Sequence, residues 1–238
     1  MIEVKNVSKS FGGEHVLKDI EFEHPRHQTL SILGESGSGK STLLKIIAGL
    51  VSGYDGQILL DGTAVDHLKP RDRGAVYLYQ EPLLFPHMTV EDNIAFGLEI
   101  KGKSLDTIER ETERMIGQLK LNGQSQKYPH QLSGGQKQRV AFGRAFIIHP
   151  KILLLDEPFA SLDPGTRQEM QVLFKEIAEK EKITSLFVTH DLKEAVMTGD
   201  RFGMMINGKL KVYENRDAFI KDSGTGVKKE IEFWKNLK

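Results

Sequence analysis

The sequence predicts an α/β fold, with a mostly parallel sheet core, an N-terminal antiparallel β part and an inserted helical segment. Three observations carry that prediction. Short apolar runs alternate with helical patterns along the chain. Asn207-Gly208, between two late apolar runs, is a hairpin signal, so the sheet ends antiparallel. Between Thr89 and Pro150 the strand-like runs disappear and helical spacing takes over.

Taken in order, Ile2, Val4 and Val7 are offset by polar residues and suit a first antiparallel piece. Strands are then expected at Thr29–Leu33, Gln57–Leu60, Val76–Tyr79, Ile152–Asp156, Ser185–Thr189, Phe202–Ile206 and Leu210–Tyr213. Ser104–Leu121 carries Leu105, Ile108, Met115, Ile116 and Leu119 at helical spacing, with Ser104 as the expected N-cap. From Asn215 the tail is expected to be helical, broken at Ser223-Gly224-Thr225-Gly226. Val227 to Lys238 then reads as an amphipathic helix that packs Ile231, Trp234 and Leu237 back on the core, a docking role for Trp234 being the alternative. The expected organisation is one domain over 1–238, with an α/β core at 1–88 and 150–214. Residues 89–149 form the helical insertion and 215–238 the tail.

Composition narrows the function. The 33 basic residues cancel the 33 acidic ones, so no global field recruits nucleic acid, and a phosphate ligand needs a local site. The absence of cysteine excludes disulfides, thiolate chemistry and Cys-based zinc sites. The start, MIEVKNVSKSF, has no apolar stretch of the signal-peptide kind. The longest apolar runs fall far short of the roughly 20 residues that span a bilayer. If this chain works at a membrane, it is therefore expected to do so through a partner.

The strongest motif is Gly34-Glu35-Ser36-Gly37-Ser38-Gly39-Lys40-Ser41, which follows an apolar run and is followed by the helical run that starts at Thr42. That is the context of a P-loop. Glycines let backbone N–H groups converge on phosphates, and a helix N-terminus adds its positive dipole end. Lys40 would reach the β- and γ-phosphates of ATP or GTP, and the Ser41 hydroxyl would bind Mg²⁺. Ile152–Leu155 ends in Asp156-Glu157, two acids at the carboxyl end of a buried strand, where ligands gather. Asp156 is placed to hold Mg²⁺ and Glu157 to polarise an attacking water. His190 ends another apolar strand and precedes the helix-start pattern Asp191-Leu-Lys-Glu194. Two roles stand open for it, a structural one and a contact to the γ-phosphate or the water.

Ser133-Gly134-Gly135-Gln136 opens a helical run, and Ser133 with Gln136 fits a capping box. Such a helix start is a ready anion site. The P-loop already accounts for a nucleotide, so physics alone leaves this second site without a ligand.

Together these residues resemble the ATP-binding-cassette (ABC) ATPases, the nucleotide-binding subunits of ABC transporters, and the likeness covers about residues 1–215. It rests on the P-loop (Walker A) at 34–41, Gln80 as the Q-loop, Leu132–Gln136 as the signature, 152–157 as Walker B, Ser161-Leu162-Asp163 as the D-loop and His190 as the H-loop. The resemblance implies a P-loop NTPase (RecA-like) core and two cassettes facing head to tail. Each signature (Ser133, Gly134, Gly135, Gln136) then caps the γ-phosphate on the partner's P-loop. It implies Lys40, Gln80, Glu157 and His190 as the catalytic set, and Ser41, Gln80 and Asp156 around Mg²⁺. Residues 34–42, Gln80 and Asp163 are implied at the nucleotide. Phe11 stands where the family usually has the tyrosine that stacks on adenine, and keeps the π-face.

The stretch Gln80–Leu98 and Glu157–Asp163 look like those of bacterial importer cassettes serving oxyanions, metal ions, polyamines or sugars. The implied partners are a second cassette, a transmembrane permease and a substrate-binding protein. Phe85 and Met88 are read either as anchors for the permease or as buried residues of the helical part. Several such importers carry a regulatory domain of about a hundred residues after the cassette, for which this chain ends too soon. Exporter or lipid-extraction cassettes and soluble ABC ATPases are the alternatives; the latter usually have two cassettes or a long coiled-coil insertion.

Overall fold

A computed structural model describes residues 1–229 and 232. Two sheets carry the chain. The first is antiparallel and consists of β1 (Ile2–Phe11), β2 (Glu14–His24), β4 (Asp55–Leu60) and β5 (Thr63–Ala64), in the order β2-β1-β4-β5. The second contains β3 (Thr29–Leu33), β6 (Ala75–Leu78), β7 (Ile152–Asp156), β8 (Thr184–Thr189), β9 (Arg201–Ile206) and β10 (Lys209–Tyr213). Its order is β10-β9-β3-β8-β7-β6; β10 pairs antiparallel with β9 and every other pairing is parallel.

The strand faces follow from period-two alternation. Along β7, Leu153 and Leu155 join one core while Ile152 and Leu154 join the other. On the second of these faces α1 (Lys40–Ala48) is sandwiched between the two sheets, with Leu43, Leu44, Ile46 and Ile47 fully buried. Gly49 ends it in the left-handed region at φ 79°. The other face is covered by α2 (Val90–Ile100), α3 (Leu105–Gln118), α4 (Gly134–Phe146) and α5 (Pro164–Lys180). Phe142 stacks on Phe159 at 5.6 Å and meets Phe146 and Phe174, so truncating it to alanine should cost ~3–5 kcal/mol.

A third, smaller core joins Leu33, α6 (Leu192–Thr198) and Phe202 to the tail through Phe219 of α7 (Arg216–Lys221) and Val227. The break expected at Ser223–Gly226 is a 3₁₀ turn at Ser223–Thr225, followed by Gly226 at φ 72°. The expectations for Ile231, Trp234 and Leu237 lie outside the described residues.

One helix expectation needs correction, and the N-cap expectation beside it holds in position. Leu105 does not reach the core: it opens α3 at 82% exposure, while Met115, Ile116 and Leu119 are buried. Ser104 occupies the N-cap position, but its hydroxyl meets the Thr107 hydroxyl at 2.9 Å, not a backbone N–H. Elsewhere the caps form as the residue types dictate. Thr89 and Ser133 make capping boxes with Asp92 and Gln136, and Asp163 accepts from Thr166 N ahead of Pro164.

Candidate active site

β3, β8 and β7 are neighbours in the sheet, and their carboxyl ends carry Gly34, His190 and Asp156-Glu157. This edge is where a parallel sheet gathers ligands. Local sterics shape the loop after β3. A Cβ on Gly34 would run into the Met205 carbonyl oxygen. Gly39 sits at φ 107°, where a Cβ would also lie 2.9 Å from Val16 O. Only glycine fits either position, so the loop is seated against both β9 and β2.

Lys40 opens α1 and its side chain is only 3% exposed. Its Nζ donates to the carbonyls of Gly34 (2.6 Å) and Glu35 (2.8 Å) and stands 4.0 Å from Glu157 Oε1. Burial lowers its pKa, and the charges of Glu157, Asp156 and Glu35 oppose that shift. The result is a desolvated cation at a helix N-terminus, a setting that favours an anion.

Asp156 is engaged at both oxygens. Ser41 Oγ donates to Oδ1 at 2.7 Å, and the Tyr77 hydroxyl donates to Oδ2 at 2.6 Å. Burial, followed by the hydrogen bond and charge of Asp156, pushes the Tyr77 phenol far above its ordinary range. Ser41 and Asp156 thus place two hard oxygen donors together, a set that suits Mg²⁺. Among the described residues no group of three or more His, Cys, Asp or Glu could cage a metal alone.

Glu157 adopts φ 45°, in the left-handed region, where a non-glycine residue costs of order 1–3 kcal/mol. Its backbone N–H donates to Val188 O at 3.1 Å, which ties the turn to β8. His190 Nδ1 lies 2.7 Å from Glu157 Oε2; an ionised carboxylate only accepts, so Nδ1–H is the donor. Asp191 caps α6 by accepting from Lys193 N and Glu194 N, while Glu194 turns inward to accept from Thr189 Oγ1 at 2.6 Å.

The structure therefore brings Lys40, Ser41, Asp156, Glu157 and His190 into one cluster. Gln80 is exposed just past the end of β6, and among the described residues no hydrogen bond or ion pair joins it to that cluster. Ser133 and Gly134 are exposed, and none of residues 132–136 is hydrogen-bonded to the P-loop among the described residues. Asp163 is occupied as the α5 cap, and the hydrogen bonds from Thr166 hold its carboxyl below the usual range. Phe11 ends β1 at 48% exposure, with Lys9 Nζ 4.8 Å from its ring centroid. Lys9 is itself fixed by the carbonyls of Ser52 and Gly53. Phe85 and Met88 are half-buried; Phe85 packs on Phe96 at 4.7 Å and under the Arg144 guanidinium at 4.9 Å. A cleft of about 810 Å³ runs beside the loop, lined by Glu35–Ser38, Glu14–Val16, Asn207-Gly208 and Ser223–Gly226.

Tyr77 is the site residue that sequence reading misses. The available signal was a tyrosine inside an otherwise apolar strand, since a buried phenol needs a partner for its hydroxyl.

The phosphate-loop geometry, the acid-ended strand and the sheet order define a P-loop NTPase core with an inserted helical part. Residues 17–160 match the ABC transporter family, and the chain belongs to that family. Sulfate/thiosulfate import ATP-binding protein CysA of Synechocystis sp. is 43% identical over 208 residues, covering 87% of this chain and 59% of that protein. The protein of the same name from Escherichia coli K12 is 43% identical over 228 residues, covering 94% of this chain and 62% of that protein. The chain thus spans about three-fifths of the length of the curated relatives it matches. A dimeric structure of a post-hydrolysis state of the ATP-binding cassette MJ0796, bound to ADP and Pi, superposes with a TM-score of 0.80 at 30% identity. It covers 90% of this chain and 98% of that one. A dimeric structure of MJ0796 as a bacterial ABC transporter cassette gives 0.79 at 31% identity, covering 89% and 97%. No helix among the described residues is long and apolar enough to cross a membrane.

Proposed function

We propose that this chain binds MgATP and hydrolyses it as the energising subunit of an importer whose membrane-spanning permease is a separate protein. The observation that carries the reading is the pairing of Glu157 with His190 at 2.7 Å beside the buried Lys40.

In this reading residues 34–42 wrap the phosphates with backbone N–H groups, and Lys40 exchanges its two carbonyl partners for phosphate oxygens. Ser41 and Asp156 would hold Mg²⁺, with Gln80 joining them, and a bound ion would supply neutralisation of the charge building on the phosphates. Glu157 takes the proton of the attacking water, and His190 orients that carboxylate and senses the γ-phosphate. Preorganised charges in a dry site are the largest source of such catalysis. Phe11 stacks on adenine with the ring face away from Lys9.

Ser133, Gly134, Gly135 and Gln136 act on the partner's nucleotide, and the D-loop at Asp163 lies against the same partner. The exposure of Ser133, Gly134 and Asp163 supports that assignment. Two copies then close head to tail on ATP and reopen after hydrolysis. We read 1–238 as one cassette domain held at the cytoplasmic membrane face by the permease, with a substrate-binding protein delivering cargo. The sulfate/thiosulfate import relatives make a small oxyanion the cargo class to test first.

The test is Glu157→Gln, which keeps the size and loses the base. ATP turnover should vanish while ATP-dependent dimerisation persists. Turnover at the wild-type rate would overturn the catalytic assignment.

A further inference from the structure

We propose that Tyr77 is a positioning residue for the metal site: its hydroxyl fixes the Asp156 carboxylate so that the opposite oxygen faces Ser41 and Mg²⁺. The inference rests on the reading of Ser41 and Asp156 as Mg²⁺ ligands and adds a residue to it.

Three observations lead there. First, the Tyr77 hydroxyl donates to Asp156 Oδ2 at 2.6 Å, while Ser41 takes Oδ1 at 2.7 Å, so the carboxylate is gripped from both sides. Second, Tyr77 lies on β6, which pairs in parallel with β7, and Tyr77 is level with Leu154. The phenol is long enough to reach from there to the strand end two residues on. Third, the ring is held in place: it is half-buried and meets the Tyr79 ring edge-on at 4.6 Å. Phenylalanine at this position would keep the packing and lose only the bond.

A carboxylate without that bond can rotate about its Cβ–Cγ axis and share itself between Ser41 and the nearby Lys40 ammonium. The metal would then meet an acceptor that must first be reoriented. Hydrogen bonds from an outer shell to a metal-ligating carboxylate or imidazole typically contribute 10–100-fold in metal affinity or activity. The geometry also makes a selective statement. Tyr77 touches neither the phosphate loop nor any adenine-facing residue in the described hydrogen bonds, so nucleotide binding without metal should not depend on it.

The experiment measures equilibrium binding of a fluorescent ATP analogue to the full chain, with and without Mg²⁺, for wild type, Tyr77→Phe and Asp156→Asn. Tyr77→Phe should raise the Mg²⁺ concentration for half-maximal enhancement about 10-fold or more. Its affinity in EDTA should match wild type, and its melting temperature should fall only by the few degrees that one lost hydrogen bond brings. Tyr77→Met serves as a second apolar variant and should behave like Tyr77→Phe. A Mg²⁺ titration of Tyr77→Phe that overlays wild type while Asp156→Asn is shifted overturns the proposal alone. Equal weakening with and without Mg²⁺ also overturns it, since that is the mark of a packing role. If Asp156→Asn is unshifted too, the metal reading fails and the proposal falls with it.

Discussion

His190 Nδ1 is hydrogen-bonded to Glu157 at 2.7 Å, and the second carboxylate oxygen of Glu157 stands 4.0 Å from Lys40 Nζ. The two residues sit beyond the ends of adjacent strands, and Glu157 is held at φ 45° by its own N–H bond to Val188. In the proposed function this strained acid, gripped by a histidine, would serve as a preorganised base, because the fold has already fixed its direction.

His190→Ala should therefore lower kcat by roughly 10²–10⁴-fold, the usual contribution of a positioned acid–base partner. KM for ATP should move little, since the proposed function gives the phosphates to the loop at 34–42. Steady-state kinetics check this, and a pure KM effect would place His190 in binding.

Phe11 is 48% exposed, with Lys9 Nζ over its ring. Base–aromatic stacking contributes ~1–3 kcal/mol by alanine substitution. Phe11→Ala should weaken ATP binding about 5- to 150-fold, and Phe11→Tyr should leave it near wild type. Calorimetric titration with ATP and with inorganic triphosphate separates the cases, because only ATP has a base to stack.

His24 is fully buried, with Nε2 against the Gln28 carbonyl at 2.8 Å. Burial lowers its pKa from 6.5 to about 4, against the opposing Gln28 bond. As pH falls from 6.5 towards 4, the unfolded chain takes up a proton that the folded chain refuses. Stability present above pH 6.5 is lost across that window, by about 3 kcal/mol at its lower end. Urea unfolding midpoints should fall between pH 7 and pH 4, and His24→Leu should flatten that part of the slope.

Much of this was legible in the sequence because the phosphate loop and the apolar strands around it are dictated locally. Thr29–Leu33 and Ile152–Asp156 appear at the bounds read from their apolar runs. Asn207-Gly208 turns β9 into β10 with both residues at positive φ, as a type I′ hairpin requires. β2 was not legible. Its alternation is interrupted at Asp19, which sits at φ 50°, and its pairing with β1 shifts register. Leu105 fitted the helical spacing yet faces solvent, because periodicity assigns a face and not whether a neighbour covers its end. Tyr77 escaped notice because its partner, Asp156, lies 79 residues away and meets it only across paired strands.

The central claim is that each catalytic site is shared between two copies. Lys40→Ala breaks a copy's P-loop and Ser133→Arg breaks its signature, so each variant alone should be inactive. When the two are mixed, heterodimers contain one site with an intact P-loop from one copy and an intact signature from the other. Random pairing should restore roughly a quarter of the wild-type ATPase rate, as symmetric dimerisation implies. A mixture that stays as inactive as its components would contradict the account.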